Sequence, residues 1–176
     1  MTLSLYSAVV PNYIQILGAV AGLLDKAEAH CAENGCAPDD LLKARLADDM
    51  LPFGYQVKSC SAHSIGAIEG VRAGVFSPDM TPWPSTFDGL REAIAKALGA
   101  VEALSPDEVN GFVGQDMRFE MGEMKMPFTA EDFLLSFSQP NFYFHATTAY
   151  DILRWKGVKL GKRDFMGRPR LKRSPH

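Results

Sequence analysis

No stretch of this 176-residue chain is both long and uniformly apolar. The longest apolar run, residues 14–24, already contains Gln15 and falls well short of the roughly 20 residues a membrane span needs. No basic region opens the N-terminus in the manner of a secretory signal, so a cytoplasmic, non-membrane protein is the expectation. Cysteine is scarce as well. Cys31, Cys36 and Cys60 are an odd number at no familiar metal spacing, which points to free thiols rather than a disulfide framework. Cys60 reads as core, and His30, Cys31 and Cys36 lack the fourth ligand a zinc clip requires. Also missing are a Gly-rich phosphate loop, a nucleophile elbow and a Cys–His pairing, which argues against the familiar forms of nucleotide hydrolysis and acyl transfer.

What is present is an ordinary globular composition, with 47% apolar and 22% charged residues and a mean hydropathy of -0.07. The length suits one core, a single domain over residues 1–165. The net charge of -3 hides an asymmetry. From residue 156 onward Lys156, Lys159, Lys162, Arg163, Arg168, Arg170, Lys172 and Arg173 face Asp164 alone, so the end of the chain is basic. No aromatic interleaving or nucleic-acid motif accompanies that charge, and residues 166–176 are expected to be a flexible tail rather than a nucleic-acid arm, contributing little to stability.

Hydrophobic spacing gives the layout. Tyr6, Val9, Val10, Tyr13, Leu17, Val20, Leu24, Ala27 and Cys31 recur at threes and fours, predicting one long helix that ends near Asn34-Gly35, with Pro11 in or near its first turns. A second helix is expected from an Asp48 or Asp49 cap to Gly74, with the stripe Phe53, Val57, Cys60, Ser64, Ile68 and Val71. Pro78, Pro82 and Pro84 predict an irregular connection over residues 74–85, pinned by Trp83. Ser85 with Asp88 is read as the capping box of a third helix, whose face runs from Phe87 to Leu104 and which Ser105-Pro106 ends. Between residues 117 and 128 the period falls to two about Gly122-Glu123, predicting a hairpin. Thr129 and Asp132 then open a fourth helix bearing Phe133, Phe137, Asn141, Phe144, His145, Thr148, Ile152 and Trp155, bent at Pro140 and closed by Gly157. The fold class is mainly α, a four-helix bundle with a small β-hairpin between helices 3 and 4.

Asn141 and His145 lie four apart on the inward side of that last helix, where an amide and an imidazole need a partner. Pro140 leaves the Ser136 carbonyl without its helical donor, so Asn141 has a local repair role open to it, and His145 one as a buried ring held by Gln56 or a tyrosine hydroxyl. Asp151 and Arg154, three apart, are spaced for an exposed ion pair worth at most a few tenths of a kcal/mol.

The pattern Asn141-x-x-x-His145, followed by Ile152-Leu153-Arg154 and Gly157, resembles the fourth helix of the DinB/YfiT-like family of metal-dependent bundles. In that family it reads His-x-x-x-His before a Leu-Arg and a glycine. Leu3-Ser-Leu-Tyr6, Leu24-Asp25-Lys26-Ala27, Asp49-Met50-x-Pro52, Pro140-Asn141-Phe142 and residues 160–165 extend the resemblance, end to end, toward an uncharacterised branch of that superfamily. The resemblance implies a DinB-like four-helix bundle and a divalent metal, zinc or nickel, supporting hydrolysis or thiol transfer. Its ligand positions fall on Gln56, Asn141 and His145, and Thr148 stands where the family has a glutamine. With two amides in place of imidazoles the site is a degenerate one. His63, seven residues after Gln56, is a substitute ligand only for a metal set deeper in the bundle. The resemblance leaves two readings, a polar pocket for a small-molecule ligand or a non-catalytic homodimer acting through its surface.

Overall fold

The structure is a computed structural model that describes residues 3–172. Its spine is α1 (Leu5–Asn34), the long helix anticipated, stopped by Gly35 at φ +66. Ser4 caps it, accepting from the Ser7 amide, and the Asn110 side chain accepts from the Tyr6 amide at 3.0 Å. Pro11 lies inside the helix. By length and hydropathy α1 resembles a membrane span, yet half of its most apolar window is buried inside the bundle, and Val9, Tyr13, Leu17 and Leu24 are wholly enclosed.

A single turn, α2 (Asp39–Leu42), leads to the second long element, which departs from expectation twice. Neither Asp48 nor Asp49 caps it. Pro52 holds the cap position in extended geometry with no side-chain cap, and the first free amide, Phe53 N–H, is taken by the Ala44 carbonyl at 2.8 Å. The element is also broken, into α3 (Phe53–Ala62) and α4 (Ile65–Ala73). Ser64 leaves helical geometry at φ -112, ψ -94 and its hydroxyl donates to the Cys60 carbonyl at 2.7 Å, while Ser138 donates to the His63 carbonyl at 3.0 Å. The break thus leaves its carbonyls satisfied. The predicted apolar stripe is buried across both pieces.

Within the connection after Gly74, residues Val75–Phe76 form a short strand, β1, where no regular structure was expected. It pairs in parallel with β2 (Asp116–Met121), which pairs antiparallel with β3 (Met124–Thr129) in the predicted hairpin. Two residues are too few for periodicity to reveal β1; only the neighbouring β2 edge makes it a strand. Gly122 turns the hairpin at φ +57. Between these lie α5 (Phe87–Glu102), capped by Thr86 rather than Ser85, and α6 (Pro106–Asn110), capped by the same Ser105 that follows α5.

Thr129 opens the last element as predicted, through one turn, α7 (Ala130–Asp132). Residues Phe133–Ser138 are then π-helical, and α8 (Gln139–Trp155) follows with Pro140 in its first turn. The wide turn is the form the expected disturbance at Pro140 takes: the Gln139 amide reaches back five residues, to Leu134. Phe133, Ile152 and Thr148 are buried, but Phe144 and Trp155, placed on the inner side by spacing, are 54% and 63% exposed. The Asp151–Arg154 pair does not form. Arg154 donates to the Leu160 carbonyl instead.

After Gly157 the chain forms α9 (Lys162–Met166), tied to α1 by the Lys26–Asp164 pair at 2.7 Å. Arg170 then donates to Pro11 O, Gln15 Oε1 and Asn12 Oδ1 along α1, and residues 173–176 lie outside the described residues. The result is a mainly α bundle with one small inserted sheet, its core running unbroken from Leu5 to Leu160.

Candidate functional site

The candidate site lies where α3 packs on α8. Gln56, in the first turns of α3, is 2% exposed, and its side chain folds back so that Nε2 donates to the Leu51 carbonyl at 2.8 Å. That bond orients the amide. Its oxygen faces α8 and meets His145 Nδ1 at 2.7 Å. Since Oε1 is an acceptor, the hydrogen-bond network assigns the His145 proton to Nδ1 and leaves Nε2 with a lone pair.

His63 is the second ring of the site. It ends α3, and its imidazole stacks on His145 with centroids 5.5 Å apart and planes 18° apart. Phe76 lies 5.5 Å away and Phe137 6.3 Å, so an aromatic series runs from the sheet through His63 to His145. The π turn is what brings this series in, since Phe133 and Phe137 stack at 5.4 Å and meet Phe76, Phe119 and Phe128. Tyr55 and Phe144 flank His145 edge-on at 6.1 and 5.3 Å. His63 Nδ1 is buried and has no hydrogen-bond partner, beside a cavity of 30 Å³ among Tyr55, Lys58, Ser59, Pro78 and Asp79. That is space for about one water-sized group.

Burial lowers the pKa of both imidazoles to about 4, and the neighbouring His145 adds to the effect on His63. Both rings are therefore neutral near pH 7. A neutral imidazole with Nδ1 locked and Nε2 open is a hydrogen-bond acceptor or a single ligand, not an acid.

Asn141 behaves differently. It is half-buried, and its Nδ2 donates to the Phe137 carbonyl at 2.8 Å, one residue beyond the Ser136 carbonyl that Pro140 was expected to orphan. Of the three sequence-derived positions, then, Gln56 and His145 are bonded to one another, whereas Asn141 directs its donor into its own helix. Among the described residues no three His, Cys, Asp or Glu side chains gather as a metal centre. Gln56 Oε1 is already engaged, so the ligand atoms left to that triad are one imidazole nitrogen and the Asn141 amide oxygen. This set does not fit zinc or nickel, which favour several imidazoles or thiolates. The sequence undervalued His63. Its seven-residue spacing from Gln56, two helical turns, was the signal that placed it on the same face.

A family model described as "Domain of unknown function (DUF1993)" matches residues 5–166. A comparison with curated proteins finds no match. Among solved structures, the crystal structure of a DinB family member protein from Shewanella denitrificans is similar at a TM-score of 0.80 and 28% identity, over 97% of this chain and 96% of that one. The matched span runs from the start of α1 to the end of α9 and takes in the hairpin ahead of the last helix, and on that ground this chain belongs to the DUF1993 family, an uncharacterised branch of the DinB superfamily.

Proposed function

We propose that this protein is a DinB-like bundle that binds a small molecule in a polar pocket at the superfamily's metal position, a degenerate counterpart of a metal-dependent hydrolase or thiol transferase site. The observation that carries this reading is the 2.7 Å bond between Gln56 and His145. An imidazole fixed in one tautomer by a neighbour that is itself fixed, by Leu51 O, is the arrangement that orients a histidine toward a ligand. His145 Nε2 accepts from a donor on the ligand, and Asn141 Oδ1 supplies a second acceptor one turn away. Tyr55 and Phe144 provide apolar walls. The test restores the missing ligands. Metal analysis of protein purified without chelator, then titration with zinc, nickel and manganese, should give weak binding for the parent and a steep gain in zinc affinity for the chain carrying both Gln56→His and Asn141→His. A folded double variant that binds zinc no better than the parent would remove the pocket from the superfamily's metal position.

A second reading, a non-catalytic homodimer acting through its surface, draws on exposed Phe144 and Trp155, eleven residues and three turns apart on one face of α8. Sedimentation equilibrium of the parent and of the Trp155→Ser chain decides it. A dimer that the substitution dissociates supports this reading, and a parent that stays monomeric ends it.

A further inference from the structure

A second, larger space shares no residue with the Gln56–His145 pair. Helices α4 and α5 stand apart around a cleft of about 800 Å³. Small residues line the trough: Ala62, Gly66 and Gly70 follow one another at four-residue spacing on one wall and Ala93, Ala97 and Ala100 occupy the other, with Ile65, Glu69 and Lys96 beside them. Small residues in a helix seam ordinarily let the two backbones close up. Here each wall is held elsewhere. Phe76 seats against Gly70, where an added Cβ would come within 2.8 Å of it, tying α4 to the sheet. Arg91 ties α5 to α1 through Asp25 at 3.1 Å and Glu28 at 2.6 Å.

The proline-rich connection forms the third wall and is fastened at both ends. Lys58 bonds Asp79 Oδ2 and Thr81 Oγ1, each at 2.9 Å, and Trp83 lies on Gly54, where a Cβ would sit 2.3 Å from the ring. With all three walls anchored, the cleft is a fixed feature of the fold. Its volume falls in the range of roughly 300–1,000 Å³ typical of small-molecule sites.

The polar groups at the cleft define what it would take. The Ser61 hydroxyl is buried and has no hydrogen-bond partner, so a donor waits among the alanines and glycines of the wall. Lys58 is neutralised by Asp79, whose carboxyl the Thr81 hydroxyl and Lys58 hold down at about 2, and Glu69 is paired with Arg72 at 3.2 Å. Lys96 remains, an exposed ammonium on the α5 side that forms no ion pair among the described residues. We propose that the α4–α5 cleft binds small apolar monocarboxylates, the hydrocarbon body lying in the Ala/Gly trough and the carboxylate meeting Lys96.

Calorimetric titration of the full chain with decanoate and with decanol tests this. Decanoate should bind saturably, one per chain. Filling the trough with Gly66→Leu and Ala93→Leu should weaken it by about tenfold or more. Lys96→Glu should weaken decanoate by about tenfold and leave decanol within about twofold, since only the charged head is affected. Intermolecular NOEs between decanoate and the methyls of Ala62, Ala93 and Ala97 in the unsubstituted chain place the ligand independently of how the filled variant folds. The absence of saturable decanoate binding, undiminished binding by a folded trough-filled chain, NOEs confined to other methyls, or equal losses of decanoate and decanol with Lys96→Glu would each overturn the proposal.

Discussion

The α3–α8 and α4–α5 seams join neighbouring parts of one broken helix to two different partners, and they are built from opposite materials. Along α3–α8 and the π turn before it the facing side chains are Gln56, His63, Phe137 and His145, which pack on one another beside a 30 Å³ cavity. Along α4–α5 they are alanines and glycines, and about 800 Å³ stays open. Side-chain volume at the facing positions decides whether a seam becomes a tight polar contact or a cleft, provided that the helices are held apart by other contacts.

Phe133→Ala strikes hardest, at the aromatic series behind the filled seam. Its ring is fully buried against Phe76 and Phe137, and its loss should cost about 3–5 kcal/mol in urea unfolding, against less than about 0.5 kcal/mol for Ala93→Leu at the open seam. Comparable losses at both positions would erase the distinction between the seams.

Between pH 6.5 and 4 acid should act on the filled seam, whereas Asp79 at the open one, held at about 2, responds only at lower pH. The folded pKa values of His63 and His145, about 4, lie below the ordinary 6.5, so between these values the unfolded chain binds more protons than the folded one. The stability the two rings contribute is then complete above pH 6.5, falls as pH drops toward 4, and levels off below. Because solvent reaches both rings in part, the pair together accounts for on the order of 3 kcal/mol. Denaturant unfolding across this window should show the slope, and His63→Leu should reduce it by about half. A slope unchanged in that variant would show that other groups titrate.

Gln56→Leu removes the acceptor of the His145 Nδ1 proton. A buried donor left unpaired costs about 1–2 kcal/mol, and ¹⁵N spectra of the imidazole should change from one tautomer to a mixture. Persistence of the single tautomer would mean that Gln56 does not set it.

The smallest effect separates two glycines. At Gly66 a methyl meets only the Ser61 carbonyl at 3.6 Å and Ala62 at 4.0 Å, so Gly66→Ala should stabilise by about 0.4–1 kcal/mol through helix propensity. At Gly54 the same change drives into Trp83, and should destabilise and shift the tryptophan emission. The same sign at both positions would mean that Trp83 does not hold the connection where it lies.

Much of this was readable from residue order. The run of apolar residues from Tyr6 to Cys31 gave α1, the two-residue period about Gly122 gave the hairpin, and Thr129 gave the start of the last helix, because each is a local pattern with a local cause. The Gln56–His145 pair was reached through the spacing of four with Asn141 and the resemblance of the last helix. Asn141 turns its donor to the Phe137 carbonyl, the kind of local repair beside Pro140 that residue order leaves open to it, one residue from the carbonyl expected.

Residue order by itself determined the helices and hairpin, and with them the bundle, since periodicity and caps depend on neighbours a few residues away. Tertiary structure decided the break at Ser64, the strand at Val75–Phe76, the stacking of His63 on His145 and the opening between α4 and α5. Each depends on a partner distant in sequence, Ser138 for the broken helix, β2 for the short strand, α8 for the imidazole and α1 for the helix held away from its neighbour. Such partners come together only when the whole chain has packed.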